Sequence, residues 1–151
     1  MTQPAIIREY QSKDEYEVLN LFRLNSPKYF AIEEEGDLKR YLNSEIELYY
    51  VLLFKGQMIG CGGINFSADK KTAFISWDII HPEYQGRSFG SQLLQHRIDK
   101  IHAISGIHEI VVRTSQFAFK FYEKQGFKLV QKVTDYWAEG FHMYKMKYIE
   151  W

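Results

Sequence analysis

The sequence predicts one domain of mixed α/β (α+β) class, with a mixed, mostly antiparallel, twisted sheet of about six or seven strands flanked by about four helices. The chain has 151 residues, which is the length of a single domain. Its 46% hydrophobic and 25% charged residues are ordinary for a globular protein and exclude a disordered chain. Apolar residues recur with a helical period in some segments and form continuous or alternating runs in others, which indicates both kinds of element.

The N-terminal part is predicted to contain one strand and two helices. Residues 5–10 form the strand. Ser12 and Glu15 fit a capping box, because the serine accepts from first-turn amides and the glutamate reaches back to the chain before it. A helix over 13–24 follows, since apolar residues recur there at roughly helical spacing. The second helix is predicted over 37–45.

The middle of the chain is predicted to form an antiparallel meander. Residues 48–56 are a continuous apolar run, which is typical of a strand buried on both faces. Short polar turns lead from it into strands over 57–66 and 72–82. Strands joined by such short turns pair with their neighbours in sequence.

The last part of the chain predicts a β-α-β unit followed by a helix and two strands. One apolar face predicts a helix over 90–104, and a strand over 108–114 comes next. With the strand of 72–82 these form a crossover, so its two strands are predicted to be parallel. A short helix over 116–127 follows. The two final strands are predicted over 129–137 and 141–149.

Charge and cysteine content exclude several functions. The 19 Lys and Arg residues balance 19 Asp and Glu residues, so nothing points to a nucleic-acid or membrane partner. The single Cys61 excludes an internal disulfide and a Cys-rich zinc site, and the five histidines show no ligand spacing, so no metal is expected. The N-terminal segment holds no long apolar stretch, and a signal peptide or membrane span is not predicted. We therefore expect a reduced, cytoplasmic setting.

The stretch HPEYQGRSFGSQLL, residues 81–94, lies between a predicted strand and a predicted helix. The first amides of a helix have no intrahelical partner and carry the positive end of its dipole, so this position suits an anion. Gly86 and Gly90 allow the backbone to approach a ligand closely, and Gln85 and Arg87 could add side-chain donors. Glycines and polar residues also make an ordinary turn and helix cap. The residues of this segment alone leave both interpretations open.

Two motifs together resemble the GCN5-related N-acetyltransferase (GNAT) family. The run from Gln85 to Gly90 resembles its acetyl-CoA pyrophosphate loop, Gln/Arg-x-x-Gly-x-Gly/Ala, with Ser88 where glycine is usual. Residues 115–127 resemble its motif Asn-x-x-Ala-x-x-Phe-Tyr-x-x-x-Gly-Phe, with Ser115 where asparagine is usual. The gap between the motifs fits one helix and one strand. The motifs and the element order together cover essentially the whole chain.

The resemblance implies that acetyl-CoA donates its acetyl group to a primary amine of a small molecule or peptide, by direct attack in a ternary complex. No nucleophilic residue is then required, and Cys61 is expected to be a small buried thiol. A catalytically silent acyl-CoA-binding module of the same fold is the alternative, and a homodimer is left open. The implied cofactor contacts are Ile79, Ile80, Gln85, Gly86, Arg87, Ser88, Phe89, Gly90, Ser91, Ser115, Ala118 and Tyr122.

The resemblance also implies the catalytic residues. Tyr122 matches the family tyrosine that faces the sulfur of CoA, which makes it the general acid for the departing thiolate. The attacking amine, with a lysine-like pKa of about 10.4, needs a base. Asp78 is the first candidate, because many family members place a carboxylate on this strand, while His81 and a water-mediated route are left open. Strand alternation places Ser76, Asp78 and Ile80 on one face and Trp77, Ile79 and His81 on the other.

The acceptor side is expected, by the same resemblance, to use the first two helices and their connection as one wall. In residues 25–42, Tyr29 and Phe30 offer apolar contact and the acidic residues could attract a cationic amine. Those acids are Glu33, Glu34, Glu35 and Asp37, with Glu33 as the predicted substrate contact. An ordinary charged loop and helix start is the alternative. A second candidate wall is residues 134–144, where Trp137 is the predicted contact.

Overall fold

The computed structural model describes residues 5–150, which contain seven strands and four α-helices. The strands are β1 (Ile6–Glu9), β2 (Leu48–Phe54), β3 (Gln57–Phe66), β4 (Thr72–Ile80), β5 (Glu109–Thr114), β6 (Phe127–Ala138) and β7 (Phe141–Tyr148). The helices are α1 (Glu15–Leu24), α2 (Glu35–Ser44), α3 (Phe89–His102) and α4 (Phe119–Lys124). Single-turn 3-10 helices at Ser12–Asp14, Ile32–Glu34 and Pro82–Tyr84 precede the first three helices.

All seven strands lie in one sheet, in the order β1-β2-β3-β4-β5-β7-β6. Neighbouring strands are antiparallel except β4 and β5, which are parallel and joined through α3, as the predicted β-α-β unit requires. This parallel pairing runs only from Thr72 and Glu109 to Ile75 and Val112. Beyond that point β4 and β5 separate, and their ends line a cavity. The predicted class, strand number and mostly antiparallel sheet are confirmed.

Each face of the sheet carries its own hydrophobic core. Helices α1 and α2 cover one face, where Val18 packs with Val51 of β2. Helices α3 and α4 cover the other face, where Leu93 packs with Leu52 of β2. All four side chains are fully buried. The continuous apolar run of β2 is therefore buried on both faces, because successive strand residues point to opposite sides.

The predicted capping box at Ser12 and Glu15 is wrong by one residue. The Asp14 carboxylate accepts the Gln11 backbone N–H at 2.8 Å. Arg8 of β1 holds that carboxylate through two further hydrogen bonds of 2.8 and 2.9 Å. Charge-assisted bonds of this kind are stronger than neutral ones, so Asp14 is the preferred acceptor. A 3-10 turn therefore precedes α1.

Strand β4 contains a bulge that sequence alternation does not predict. Two of its residues, Trp77 and Asp78, lie opposite the single residue Gly62 of β3. Trp77 has a φ of 45°, in the left-handed region that side chains rarely adopt. The extra residue places Ser76 on the α1/α2 face, near the hydroxyl of Tyr41. The expectation that Ser76 shares a face with Asp78 is therefore wrong.

Two features are absent from the described part of the chain. Among residues 5–150, no helix has the length and hydropathy needed to span a membrane. The same residues contain no group of three or more His, Cys, Asp or Glu side chains placed to hold a metal ion.

Candidate active site

A cavity of about 850 Å³ occupies the gap between the separating ends of β4 and β5. We call the part lined by the starts of α3 and α4, including Gly86, Ser91 and Ala118, the α3 end. We call the part lined by the α1–α2 connection and by Trp137 of β6 the aromatic end. A cavity of this size is typical of a small-molecule site.

The loop that enters α3 has two residues with left-handed backbone. Gly86 has a φ of 75° and Ser88 a φ of 70°. Glycine adopts this conformation freely, whereas a residue with a Cβ loses roughly 1–2 kcal/mol there. Ser88 stands where the resembled loop usually has glycine, and its φ is the physical reason for that preference. Ser88 is also the N-cap of α3, and its side chain accepts no hydrogen bond from the first-turn amides.

Arg87 and Phe89 direct their side chains away from the cavity. The Arg87 guanidinium carbon lies 5.8, 5.1 and 5.5 Å from the ring centroids of Phe54, Tyr84 and Phe89. Phe89 itself is buried in the core beneath α3 and α4. In this arrangement the Arg87 guanidinium packs on the three rings and offers no donor to the cavity, and its expected contact with the cofactor stays a prediction. At Arg87 and Phe89, only the backbone amides remain candidate donors to a ligand.

Gln85 and Gly90 have structural partners within the protein. Gln85 Nε2 donates to the Ile80 carbonyl at 3.2 Å and to Asn25 Oδ1 at 3.3 Å, which ties the loop to the end of α1. A Cβ on Gly90 would lie 3.3 Å from the ring of Phe121. Glycine at this position therefore allows α3 and α4 to approach each other, in addition to any room it leaves for a ligand.

The second motif is joined to the first by side-chain contacts. Ser115 Oγ accepts the Phe117 N–H at 3.3 Å, and the Ser115 carbonyl accepts the Ala118 N–H at 3.2 Å. This turn delays the start of α4 to Phe119, which is why the helix is shorter than the predicted 116–127. Gln125 Nε2 donates to Ser91 Oγ at 3.0 Å, so the start of α3 and the end of α4 form one wall of the cavity.

Three side chains from three elements form a hydrogen-bonded network beside the cavity. The Tyr122 hydroxyl donates to Asp78 Oδ2 at 2.5 Å, and Arg97 Nη2 donates to Asp78 Oδ1 at 2.5 Å. Arg97 is completely buried and Tyr122 is 2% exposed. Asp78 and Tyr122 line the cavity, whereas Arg97 lies behind them. Sequence reasoning missed Arg97, although a lone arginine on the apolar face of α3 was a usable signal.

The network bears on both predicted catalytic residues. Burial raises the pKa of Tyr122 well above its usual value, and the Asp78 carboxylate raises it further, so the phenol is protonated at neutral pH. Both oxygens of Asp78 already accept hydrogen bonds from Arg97 and Tyr122, which opposes its predicted role as general base. The other candidate, His81, uses Nδ1 to accept the Glu83 N–H at 3.1 Å and does not line the cavity. Burial raises the pKa of Cys61 to about 12, so it is a thiol, as expected.

Aromatic side chains predominate at the aromatic end. The predicted contacts Tyr29, Phe30 and Trp137 all line the cavity. Phe30 stacks on Trp77 with ring centroids 6.2 Å apart, and Tyr29 meets Phe117 edge to face at 5.9 Å. Trp77 and Phe117 were missed as site residues, because only the tertiary structure brings β4 and the second motif to this wall.

The acidic residue of the α1–α2 connection that lines the cavity is Glu34, the neighbour of the predicted contact. Glu33 is exposed and does not line the cavity, so that prediction is not supported. Glu34 lines the cavity and is 6% exposed. Burial raises the pKa of Glu34, although the hydrogen bond that Oε2 accepts from the Ala31 N–H at 2.9 Å partly offsets this effect. The 3-10 turn of residues 32–34 is what directs Glu34 inward and Glu33 outward.

Comparison with known proteins decides the family. The sequence model of the Acetyltransferase (GNAT) family matches residues 10–127. The chain belongs to the GNAT family. The amino-acid acetyltransferase of Pasteurella multocida (strain Pm70) is 32% identical over 104 residues, which are 66% of this chain and 23% of that protein. The amino-acid acetyltransferase of Pseudomonas putida (strain GB-1) is 30% identical over 126 residues, 81% of this chain and 27% of that protein. This GNAT chain thus spans about a quarter of the length of these curated relatives.

Solved structures with this fold include acetyltransferases of several substrates. The ribosomal-protein-S18-alanine N-acetyltransferase from Escherichia coli aligns with a TM-score of 0.78 and 18% identity, over 96% of this chain and 93% of that chain. The N-acetylglutamate synthase from Neisseria gonorrhoeae, complexed with coenzyme A and N-acetyl-glutamate, aligns with a TM-score of 0.72 and 19% identity. That alignment covers 99% of this chain and 36% of the other. At these identities the similarity shows the GNAT fold alone.

The α3 end of this GNAT chain has the features that a pyrophosphate requires. The first amides of α3 have no side-chain cap, and the positive end of the helix dipole lies at the cavity wall. A Cβ at Gly86 would meet nothing within 4 Å, so the loop is open on that side. The residues present therefore fit the phosphates of acetyl-CoA.

Proposed function

We propose that this chain is an N-acetyltransferase that moves the acetyl group of acetyl-CoA to a primary amine by direct attack in a ternary complex. The observation that supports this most is that one cavity contains the uncapped start of α3, the Asp78–Tyr122 pair and the aromatic end. Two reactants bound at the two ends would meet beside Tyr122. Holding reactants together in this way supplies much of the rate enhancement that enzymes achieve.

The α3 end is proposed to bind the cosubstrate mainly through the main chain. The amides from Arg87 to Ser91 are the proposed donors to the pyrophosphate, since side chains in the loop are occupied elsewhere. The separating end of β4 at Ile79 and Ile80 forms the adjoining wall. The Ile80 carbonyl already accepts hydrogen bonds from Asn25 and Gln85. Ile80 would therefore contribute to cosubstrate binding by shape alone. Ser115 and Ala118, in the turn that precedes α4, would flank the pantetheine arm.

The chemistry requires one proton to leave nitrogen and one to reach sulfur. The amine lone pair forms the C–N bond at the acetyl carbonyl carbon, and the C–S bond breaks. We assign to Tyr122 the donation of a proton to the departing thiolate, because its hydroxyl lies at the cavity wall and its raised pKa keeps it protonated until that step. The O–H donates to Asp78 Oδ2 before the reaction, so it must turn toward the sulfur to transfer its proton, and solvent then restores that proton. We assign the proton from the amine to water, because Asp78 is engaged on both oxygens and His81 faces elsewhere.

The aromatic end supports an acceptor with an apolar part and a positive charge. Tyr29, Phe30 and Trp77 offer ring faces and edges, and cations are attracted to aromatic faces. Glu34 supplies a buried carboxylate, with no ion pair formed by it in the described residues. The relatives named above are amino-acid acetyltransferases, which supports a small amine as acceptor.

The alternative function is a catalytically silent acyl-CoA-binding module. The strained Ser88 in the pyrophosphate loop favours this candidate, since it stands where glycine would be unstrained. Both candidates would bind acetyl-CoA, and only the enzyme would release free CoA. A cytoplasmic location, a homodimer and the absence of nucleic-acid or membrane partners stay predictions.

A thiol-release screen tests the proposed function. The protein would be incubated with acetyl-CoA and a panel of polyamines, amino acids, aminoglycosides and N-terminal peptides, and CoA would be detected with a thiol reagent. The chain's single cysteine is buried, so the protein contributes little background. Turnover with one class of amine supports the enzyme. Binding of acetyl-CoA by calorimetry without thiol release supports the silent module, and no binding refutes both.

A further inference from the structure

We propose that Arg97 is a positioning residue for acetyl transfer, which acts through Asp78 to fix the hydroxyl of Tyr122 at the cavity wall. This inference rests on the proposed function, because it assigns a role to a residue that touches neither reactant. Arg97 does not line the cavity, and its path to the reacting atoms runs through the other two side chains.

Arg97 is held in one orientation by three hydrogen bonds. Its Nε donates to the Leu93 carbonyl at 3.2 Å, Nη1 donates to the Gly63 carbonyl at 3.2 Å, and Nη2 donates to Asp78 Oδ1. The side chain is 0% exposed. A planar guanidinium with all three nitrogens engaged is a rigid donor, so the carboxylate it meets has little freedom to rotate.

Two unfavourable local features of the backbone serve this contact. A Cβ on Gly62 would lie 2.7 Å from both Arg97 Nη1 and Asp78 Oδ1, so only glycine leaves room for the pair. The bulge opposite Gly62, with Trp77 at a φ of 45°, is what turns Asp78 toward α3 instead of α1 and α2. Both features lie on central strands of the sheet, where regular pairing without a bulge would be more favourable.

Stability alone does not account for the arrangement. A buried ion pair is often no more stabilising than apolar side chains of the same shape, because two charges lose their hydration. Asp78 is 17% exposed in its side chain and opens to the cavity, where its second oxygen accepts from Tyr122. The pair therefore presents a fixed acceptor to the proposed general acid. Without Arg97, Asp78 would have another rotamer available, and the Tyr122 phenol would lose the hydrogen bond that fixes its position at the cavity wall.

A double-mutant cycle in turnover tests the pathway from Arg97 to Tyr122. We expect Arg97→Met to lower kcat by about 10-fold or more, while the Kd for acetyl-CoA changes less than about twofold. In a Tyr122→Phe background, the same change should lower kcat by less than about threefold, because residues that act as a unit are not additive. Equal losses in the two backgrounds would overturn the inference, as would an unchanged kcat in the single variant.

A second variant separates positioning from folding. Arg97→Met alone leaves Asp78 buried without its partner, and it could fail to fold. Arg97→Met/Asp78→Leu removes both charges, so its thermal stability should return to near the wild-type value. Its kcat should stay at or below that of Arg97→Met. Recovery of kcat together with stability would show a merely structural role and overturn the inference.

A spectroscopic readout keeps the test independent of any acceptor. The short bond from Tyr122 to Asp78 predicts an exchange-protected hydroxyl proton in the NMR spectrum, assigned by its loss in Tyr122→Phe. The resonance should move or disappear in Arg97→Met/Asp78→Leu and should shift in Arg97→Lys, which keeps the charge without the planar fork. If the resonance is unchanged in Arg97→Lys, the inference is overturned, even when the wild-type chain turns over an amine. A wild-type chain inactive on every amine would instead refute the proposed function.

Discussion

The two ends of the cavity are built in different ways. At the α3 end the proposed donors are main-chain amides of one continuous segment, and the side chains of Arg87 and Phe89 point away from it. The aromatic end is made by side chains that meet from the α1–α2 connection, β4, β6 and the second motif. Backbone amides depend on the conformation of the loop, whereas a wall of rings depends on the packing of the whole domain.

This difference predicts how substitutions at the two ends should behave. Changes in the loop should act on acetyl-CoA affinity, because the proposed donors there are amides. Changes beside the Asp78–Tyr122 pair or at the aromatic end should act on turnover or on acceptor KM. Four variants test that division, in order of decreasing expected effect.

Tyr122→Phe should lower kcat by about 100-fold or more, because general acid catalysis typically contributes 10²–10⁴-fold. The Kd for acetyl-CoA should change less than about twofold, because the α3 end is untouched. Steady-state kinetics and calorimetry measure the two quantities. Tyr50→Phe is the matched control, since Tyr50 is equally buried but does not line the cavity. An unaltered kcat in Tyr122→Phe would contradict the acid role.

Gly62→Ala should lower the free energy of unfolding by about 1–3 kcal/mol, because its Cβ would overlap Arg97 and Asp78. It should also lower kcat without weakening the binding of acetyl-CoA. Gly36→Ala is the control: a Cβ there meets nothing within 4 Å, and alanine favours a helix by up to about 1 kcal/mol. Denaturant unfolding compares the two. Similar stability in both variants would show that the space around Gly62 is not restricted.

Ser88→Gly should tighten the binding of acetyl-CoA. It should also raise the free energy of unfolding by about 1 kcal/mol or less. Glycine relieves the left-handed strain at φ 70°, although it also gains freedom in the unfolded chain. Calorimetry and thermal unfolding provide the measurement. Ser44→Gly, within α2, should instead lower stability by about 0.5 kcal/mol. Changes of the same sign in the two variants would contradict a special conformation at Ser88.

Glu34→Gln should raise stability near neutral pH and increase the KM for cationic amines by a few-fold. Burial raises the folded-state pKa of Glu34, so its contribution is greatest below the unfolded pKa of about 4.3 and is lost as pH rises through the folded value. Glutamine keeps an acceptor for the Ala31 N–H without the charge. Thermal unfolding from pH 4 to pH 7.5 and kinetics give the two readouts.

The exposed neighbour provides the control for that change. Glu33→Gln removes the same charge from the adjacent residue, whose side chain does not line the cavity. Its pH profile of stability and its KM should match the wild type. If Glu33→Gln reproduces the effect of Glu34→Gln, the net negative charge of the segment is responsible. The buried Glu34 carboxylate would then have no separate role in stability or in amine binding.

Most of the fold and the α3 end could be predicted from the sequence, because their signals are local. The apolar run of β2 reveals burial on both faces, and the period of residues 90–104 reveals α3. Gly86 and the residues around it mark the loop within a single short segment. The turn chemistry at α1 could not be placed correctly, because Arg8 from another element decides which carboxylate caps it.

The catalytic network depended on tertiary structure. Asp78 and Tyr122 were both named from the sequence, but their contact and the completing Arg97 join positions 19 and 44 residues apart. The bulge at Trp77 likewise depends on the pairing of β4 with β3, whereas the inward turn of Glu34 comes from the local 3-10 turn. The sequence by itself determined the elements and the loop, since local periodicity and turn residues specify backbone conformation. Only the tertiary structure decided which side chains meet in the cavity, because burial and charge pairing are set by packing across the sheet.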